Sequence, residues 1–214
     1  MSDLINSIKH LRELTGVGYL DCKEALKENN NDVEKSIDFL RKKGLAKASK
    51  KSLREVNEGA IGVYLNDTSA IMIEINTETD FAAKNEVFLD FLDQIGEYAL
   101  KVDNILNISK DDFLNKIFDG RKLSEYFLNI IEKIGENIVL RRLSVINKDL
   151  KSEIYAYTHN AYRQNVGKIC VMLKAEVNDS NDETNKFGKQ LCMHIAASKP
   201  LALETKGLDA SFVE

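Results

Sequence analysis

Glu78 and Asp80 stand two residues apart in the stretch Asn76–Phe88, NTETDFAAKNEVF. Neighbouring carboxylates can divide acid and base work, and an enzymatic reading would bring His159 into the same cleft, within hydrogen-bond reach of a shared substrate position. Acidic side chains at a helix start also complement the positive end of the helix dipole, and the local pattern favours that reading. The other chemistry-bearing residues are dispersed. The three histidines, His10, His159 and His194, fall in neither HExxH nor HxH spacing, so no metal site is expected. The three cysteines, Cys22, Cys170 and Cys192, show no CxxC spacing and read as reduced, mostly buried thiols. GxxxxGKS/T, GxGxxG after a strand and GxSxG are all missing, which removes the usual nucleotide-cradling and hydrolase signatures.

An aromatic residue in the same stretch raises a different question. An apolar run, Ile71–Ile75, leads into Asn76, Thr77 and Thr79, each able to cap a helix, and Phe81 then falls in the first turn. Judged by residue type, the ring folds back on the preceding strands and joins the core. Presented outward, it would be an anchor, because a single aromatic inserted in a partner's pocket often dominates binding energy.

The elements that must position these residues follow from periodicity. Leu4, Ile8 and Leu11 repeat at helical spacing up to the stretch TGVG, Thr15–Gly18, and a second helix carries Leu20, Ala25 and Leu26. After the polar stretch Glu28–Asp32, Asp32 or Asn31 can cap a third helix with Val33, Ile37 and Leu40 on one face and Gly44 as its stop. Arg41, Lys42, Lys43, Lys47, Lys50, Lys51 and Arg54 mark a helical connector without aromatic residues. It reads as a solvated basic face in preference to a nucleic-acid patch, with docking on an acidic protein surface as a third option. From Gly59 two β-rich runs flank Asn66–Ser69 as a hairpin, and one helix is expected to carry Phe81, Val87, Phe88, Phe91, Leu92, Ile95 and Ala99 as a broad apolar face. A helix at Leu123–Ile134 and a strand-like run at Glu136–Asn147 come next. The order strand, strand, helix then recurs from Ser152 to Pro200, as an internal repeat would.

Composition bounds the class. With 214 residues, 43% of them hydrophobic, and no apolar run long enough to span a bilayer, the chain suits one large or two small globular domains. The start, MSDLINSIKHLREL, has no unbroken apolar segment of the secretory kind, so the expected compartment is the cytoplasm. A net charge of −4 gives no global pull toward nucleic acid. Direct nucleic-acid binding, membrane association and cofactors are therefore not expected.

Four stretches in order carry a resemblance: LRELTGVGYLDCKEAL with LRKKG, then TDFAAKNEVF, KIGENIVLRRL and HIAASKP. Over nearly its whole length the chain resembles the family of bacterial elongation factor Ts, the nucleotide exchange factor of elongation factor Tu. The resemblance implies an α+β fold, with a ubiquitin-associated-like three-helix module and basic connector over residues 1–54. A duplicated core of small antiparallel sheets with helices would follow, its halves at 55–149 and 150–214. It further implies a guanine nucleotide exchange factor without enzymatic chemistry, which binds elongation factor Tu in GDP-bound and nucleotide-free forms. Residues matching Thr79, Asp80, Phe81 and Ala82 would approach the partner's magnesium site, with Phe81 as a wedge. Those matching Arg12 and Lys23 would help the first module dock on the same partner domain, and the one matching His159 would face another. Ala82 stands where the family commonly has valine, and Tyr19 with Leu20 where it often has two methionines. Longer members continue past the position of Glu214 into a helical hairpin, a further strand and a short helix. A shortened chain is one expectation; a loosely ordered second half, or one paired with another chain as in a homo-oligomer, is the alternative. Weakened partner binding would follow. A rival reading makes the first module a recogniser of ubiquitin-like or ribosomal surfaces, with the core as scaffold.

Overall fold

The computed structural model describes residues 2–103 and 105–209. Three helices open the chain: α1 (Ser2–Thr15), α2 (Tyr19–Glu28) and α3 (Val33–Lys51). Their apolar faces converge on Ile8, Leu11, Val17, Cys22, Ala25, Leu26 and Leu40. Asp32 caps α3 by accepting from the Lys35 backbone N–H at 3.0 Å. Gly44 does not stop this helix, which runs on to Lys51. A methyl group there would meet the Glu132 carboxylate at 3.2 Å. The glycine therefore serves the close approach of α3 to a later helix, and the expected stop becomes part of one long helix.

Two strands, β1 (Glu58–Leu65) and β2 (Ser69–Thr77), then form the hairpin that the residue pattern predicts. The single helix expected next is broken in two, α4 (Asp80–Ala83) and α5 (Glu86–Ala99). Asn85 makes the break, since its side chain accepts from the Val87 N–H at 2.9 Å and its carbonyl accepts from Leu89 at 3.0 Å, which starts α5 afresh. Phe81 consequently does not share the face of Phe88 and Phe91.

Further along come α6 (Lys110–Leu114), a small hairpin of β3 (Ile117–Phe118) and β4 (Arg121–Lys122), and α7 (Leu123–Ile134). The last elements are β5 (Ile138–Asn147), β6 (Ser152–Arg163), β7 (Val166–Glu176) and α8 (Asp182–Ser198). Five strands form one sheet in the order β5-β2-β1-β7-β6. The second hairpin thus joins the first in one sheet. Its β7 meets β1 at Ile61↔Gly167 and Gly62↔Val166, and Val63 donates to the Asn165 carbonyl at 2.9 Å. An open edge of β1 would leave backbone groups unpaired, and β7 satisfies part of it.

The chain packs as two compact units. One is built from the chain up to Gly59, Ile75–Phe91 and Ile108–Arg141; the other from Ala60–Glu74, Leu92–Asn107 and the chain from Arg142 onward. In the first, α3 lies on α7, where Lys51 Nζ donates to the Ile131 carbonyl at 3.3 Å. In the second, α8 covers β6 and β7 around Tyr155, Val171, Cys192 and Ala196. No helix among the described residues is long and apolar enough to cross a membrane.

Candidate functional site

The turn after β2 is built by a sequence of local bonds. Thr77, fully buried, donates from its hydroxyl to the Thr79 carbonyl at 2.8 Å. Thr79 is the N-cap of α4, as one of the three expected caps, and its hydroxyl accepts from the Ala82 N–H at 3.2 Å. Ala82 and Ala83 face inward and are buried, at 4% and 0% exposure. Phe81 lies between these anchors with 84% of its surface exposed. The core reading of Phe81 is therefore set aside, because the two alanines of this short turn occupy the inward face.

A second set of bonds fixes the turn from outside. Glu136 accepts from the Thr79 N–H at 2.9 Å and from the Thr79 hydroxyl at 2.6 Å. Reciprocally, Glu78 accepts from the Asn137 N–H at 2.6 Å and from Arg54 Nη1 at 3.3 Å. The Asn137 side chain closes the set by donating to the Arg54 carbonyl at 2.9 Å. Gly135, at φ 87°, ends α7 in the left-handed conformation and delivers Glu136 and Asn137 to this position. Charge-assisted bonds of this kind are about twice as strong as neutral ones, so the turn is held more firmly than a four-residue helix could hold itself.

These contacts also dispose of the carboxylate pair. Glu78 is committed to Arg54 and Asn137, while Asp80 pairs with Lys84 at 2.8 Å on the exposed side of α4. Their roles are structural, an N-terminal charge and two ion pairs, and they share no substrate position in this arrangement. His159 belongs to the other unit, exposed on β6, with its Nδ1 3.1 Å from the Tyr157 hydroxyl. Beside it, Asn160 takes a left-handed φ of 49° and the ladder to β7 slips between Ala161 and Arg163. Arg12 is exposed on α1 and Lys23 half-buried on α2, in the same unit as Thr79–Ala82. Among the described residues no group of three or more His, Cys, Asp or Glu side chains could hold a metal ion.

The basic connector is absorbed by structure only in part. Lys43 bonds Glu24 at 2.6 Å and Asp21 at 3.0 Å, contacts that raise its pKa, with the bond to Glu24 the larger cause. Lys51 serves the carbonyl of Ile131 and Arg54 serves Glu78. Arg41, Lys42 and Lys50 face solvent, and the side chain of Lys47 lies outside the described residues. The stretch KIGENIVLRRL and the connector residue Arg54 stand out in the sequence, but the bonds that Glu136, Asn137 and Arg54 make to this turn do not.

A family model described as Elongation factor TS matches residues 78–214. The chain is 38% identical over 214 residues to Elongation factor Ts of Brucella anthropi, covering 100% of this chain and 68% of that protein. The corresponding protein of Bartonella henselae is 39% identical over 216 residues, with coverage of 100% and 69%. That of Rhodopseudomonas palustris is 42% identical over 207 residues, with coverage of 96% and 65%. The chain thus spans about two thirds of the length of these relatives.

Proposed function

The chain belongs to the elongation factor Ts family, and from that premise we propose that it binds elongation factor Tu and promotes GDP release in translation elongation. The family implies a nucleotide exchange factor of protein biosynthesis, and exchange requires no bond-making group. A GTPase holds its diphosphate through magnesium and backbone amides, so a partner that distorts this cradle weakens nucleotide binding. By linkage the nucleotide weakens the partner by the same factor.

In this reading Phe81 is the wedge, and Thr79, Asp80 and Ala82 form the turn that presents it to the magnesium-supporting residues of the partner. Arg12 and Lys23 help the three-helix module dock on the same partner domain, and His159 contacts a different one. The observation that carries the reading is Phe81 itself, 84% exposed on a turn tied down on both sides. A large apolar ring held in water is unfavourable for the isolated protein, by roughly 25 cal/mol per Å² of apolar surface, and its burial in a partner recovers that energy. Rigidity adds to this, since a ring already ordered loses less conformational freedom on contact.

The test is complex formation. Mixed with nucleotide-free elongation factor Tu, the chain should form a stoichiometric complex on a sizing column, and added GDP should dissolve it. A mixture that elutes as two separate proteins, or a complex indifferent to GDP, contradicts the proposal.

A further inference from the structure

We infer that Glu136 is a positioning residue for Phe81, acting through Thr79, so that the exposed ring is aimed by a carboxylate 57 residues beyond that threonine. This rests on the exchange reading above for its functional consequence, but the contact itself does not.

The inference starts from what α4 lacks. Four residues are too few to nucleate a stable helix, so the direction of Phe81 is fixed only as well as its flanking anchors are fixed. On the C-terminal side the anchors are the buried Ala82 and Ala83. On the N-terminal side everything passes through Thr79. Its hydroxyl has one proton to give and lone pairs to offer, and both are used: it donates to Glu136 at 2.6 Å and accepts from Ala82 at 3.2 Å. Glu136 determines that assignment. An ionised carboxylate can only accept, so it draws the hydroxyl proton outward and leaves a lone pair facing the Ala82 N–H. The Thr79 N–H goes to the second oxygen of the same carboxylate at 2.9 Å, which fixes the peptide plane as well as the side chain.

Glu136 is itself held in place. It is followed by Asn137, whose N–H is bound by Glu78 at 2.6 Å, and preceded by Gly135, which turns the chain out of α7. Two carboxylates therefore reach across in opposite directions, Glu78 to residue 137 and Glu136 to residue 79. Removing Glu136 leaves Glu78 to keep the segments together while the cap of α4 loses its orientation.

Two measurements test this. In the free protein, Glu136→Ala should raise amide hydrogen exchange across Ala82–Lys84 roughly ten-fold, while the amides of α5 keep their protection. Glu136→Gln should be intermediate, because one oxygen still accepts from the Thr79 N–H but the amide nitrogen cannot accept the hydroxyl proton. Unchanged exchange at Ala82–Lys84 overturns the inference whatever the partner does. In GDP release from elongation factor Tu, Glu136→Ala should slow the maximal rate roughly ten-fold on its own and add nothing in a Phe81→Ala background, as expected for a residue acting only through the ring. Additive losses in the two backgrounds, or wild-type release by Glu136→Ala where Phe81→Ala is slow, also overturn it. If Phe81→Ala releases GDP normally, the exchange reading fails while the hydrogen-exchange result still decides the positioning role.

Discussion

Thr79 concentrates more of the candidate site than any other residue. It caps α4, donates to both oxygens of Glu136 and follows the buried Thr77 by two positions. Thr79→Val keeps the shape of the side chain and removes only its hydroxyl chemistry, so it should cost about 1 kcal/mol of stability, read from a denaturant midpoint. A midpoint equal to the wild type would mean that water replaces both bonds. The thiols give a second prediction at this scale. Burial pushes the Cys192 pKa up to about 11, and it is also the leading cause of the upward shifts at Cys170 and Cys22. A raised thiol pKa keeps the group protonated below that value, so at pH 8 the folded protein should alkylate at least about ten-fold more slowly than the unfolded chain. Mass spectrometry after iodoacetamide treatment checks this, and rapid labelling of Cys192 would contradict it. Thr79 as a cap and the buried thiols are legible in the sequence because their signals are local. The bond from Glu136 to Thr79 is not, since nothing near either residue points across 57 positions.

Helices and strands carry a different kind of information. On α5, Gly96 faces the Tyr64 ring of β1, and an added Cβ would lie 2.0 Å from a ring carbon. Gly→Ala inside a helix ordinarily stabilises by about 0.5–1 kcal/mol. Here the ring cannot move aside, being 3% exposed and bonded through its hydroxyl to Asp93 at 2.9 Å, so the overlap decides the sign. Gly96→Ala should destabilise by about 1–3 kcal/mol, seen as a lowered thermal midpoint, and a raised midpoint would show that the contact yields. At this scale periodicity reads most of the fold, including α7, the two long hairpins and α8. It leaves α6 and the small β3–β4 hairpin unread, and it misplaces two boundaries for identifiable reasons. Gly44 resembles a helix stop, yet the helix runs through it to Lys51, and the missing side chain leaves space for Glu132. The break between α4 and α5 is hidden by the apolar residues on both sides, and the structure shows that Asn85 makes it by accepting from the Val87 N–H.

Within the five-stranded sheet, the two hairpins meet along the short β1–β7 ladder. A polar cluster reinforces that junction. Burial, the largest cause, and then Asp93 drive the Tyr64 pKa far upward, so the hydroxyl stays a donor to Asp93, while Arg163 from the end of β6 donates to the other carboxylate oxygen at 3.0 Å. Asp93→Ala leaves the buried Tyr64 hydroxyl without its acceptor and takes one partner from Arg163. It should cost about 2 kcal/mol and raise hydrogen exchange along β6 and β7, whereas exchange confined to α5 would show that the ladder suffices. The sequence displays the repeated order strand, strand, helix, but not this joining, because a two-pair ladder leaves no periodic trace. In the proposed complex, the ordered, outward Phe81 ring would loosen the partner's hold on its nucleotide. The most direct measurement is stopped-flow release of a fluorescent GDP from elongation factor Tu, driven by the wild-type chain or by Phe81→Ala, with both folds verified by circular dichroism. The account predicts release slowed by roughly ten-fold or more with Phe81→Ala, the scale of a lost anchor residue. Release at the wild-type rate, from a folded Phe81→Ala protein, would contradict it.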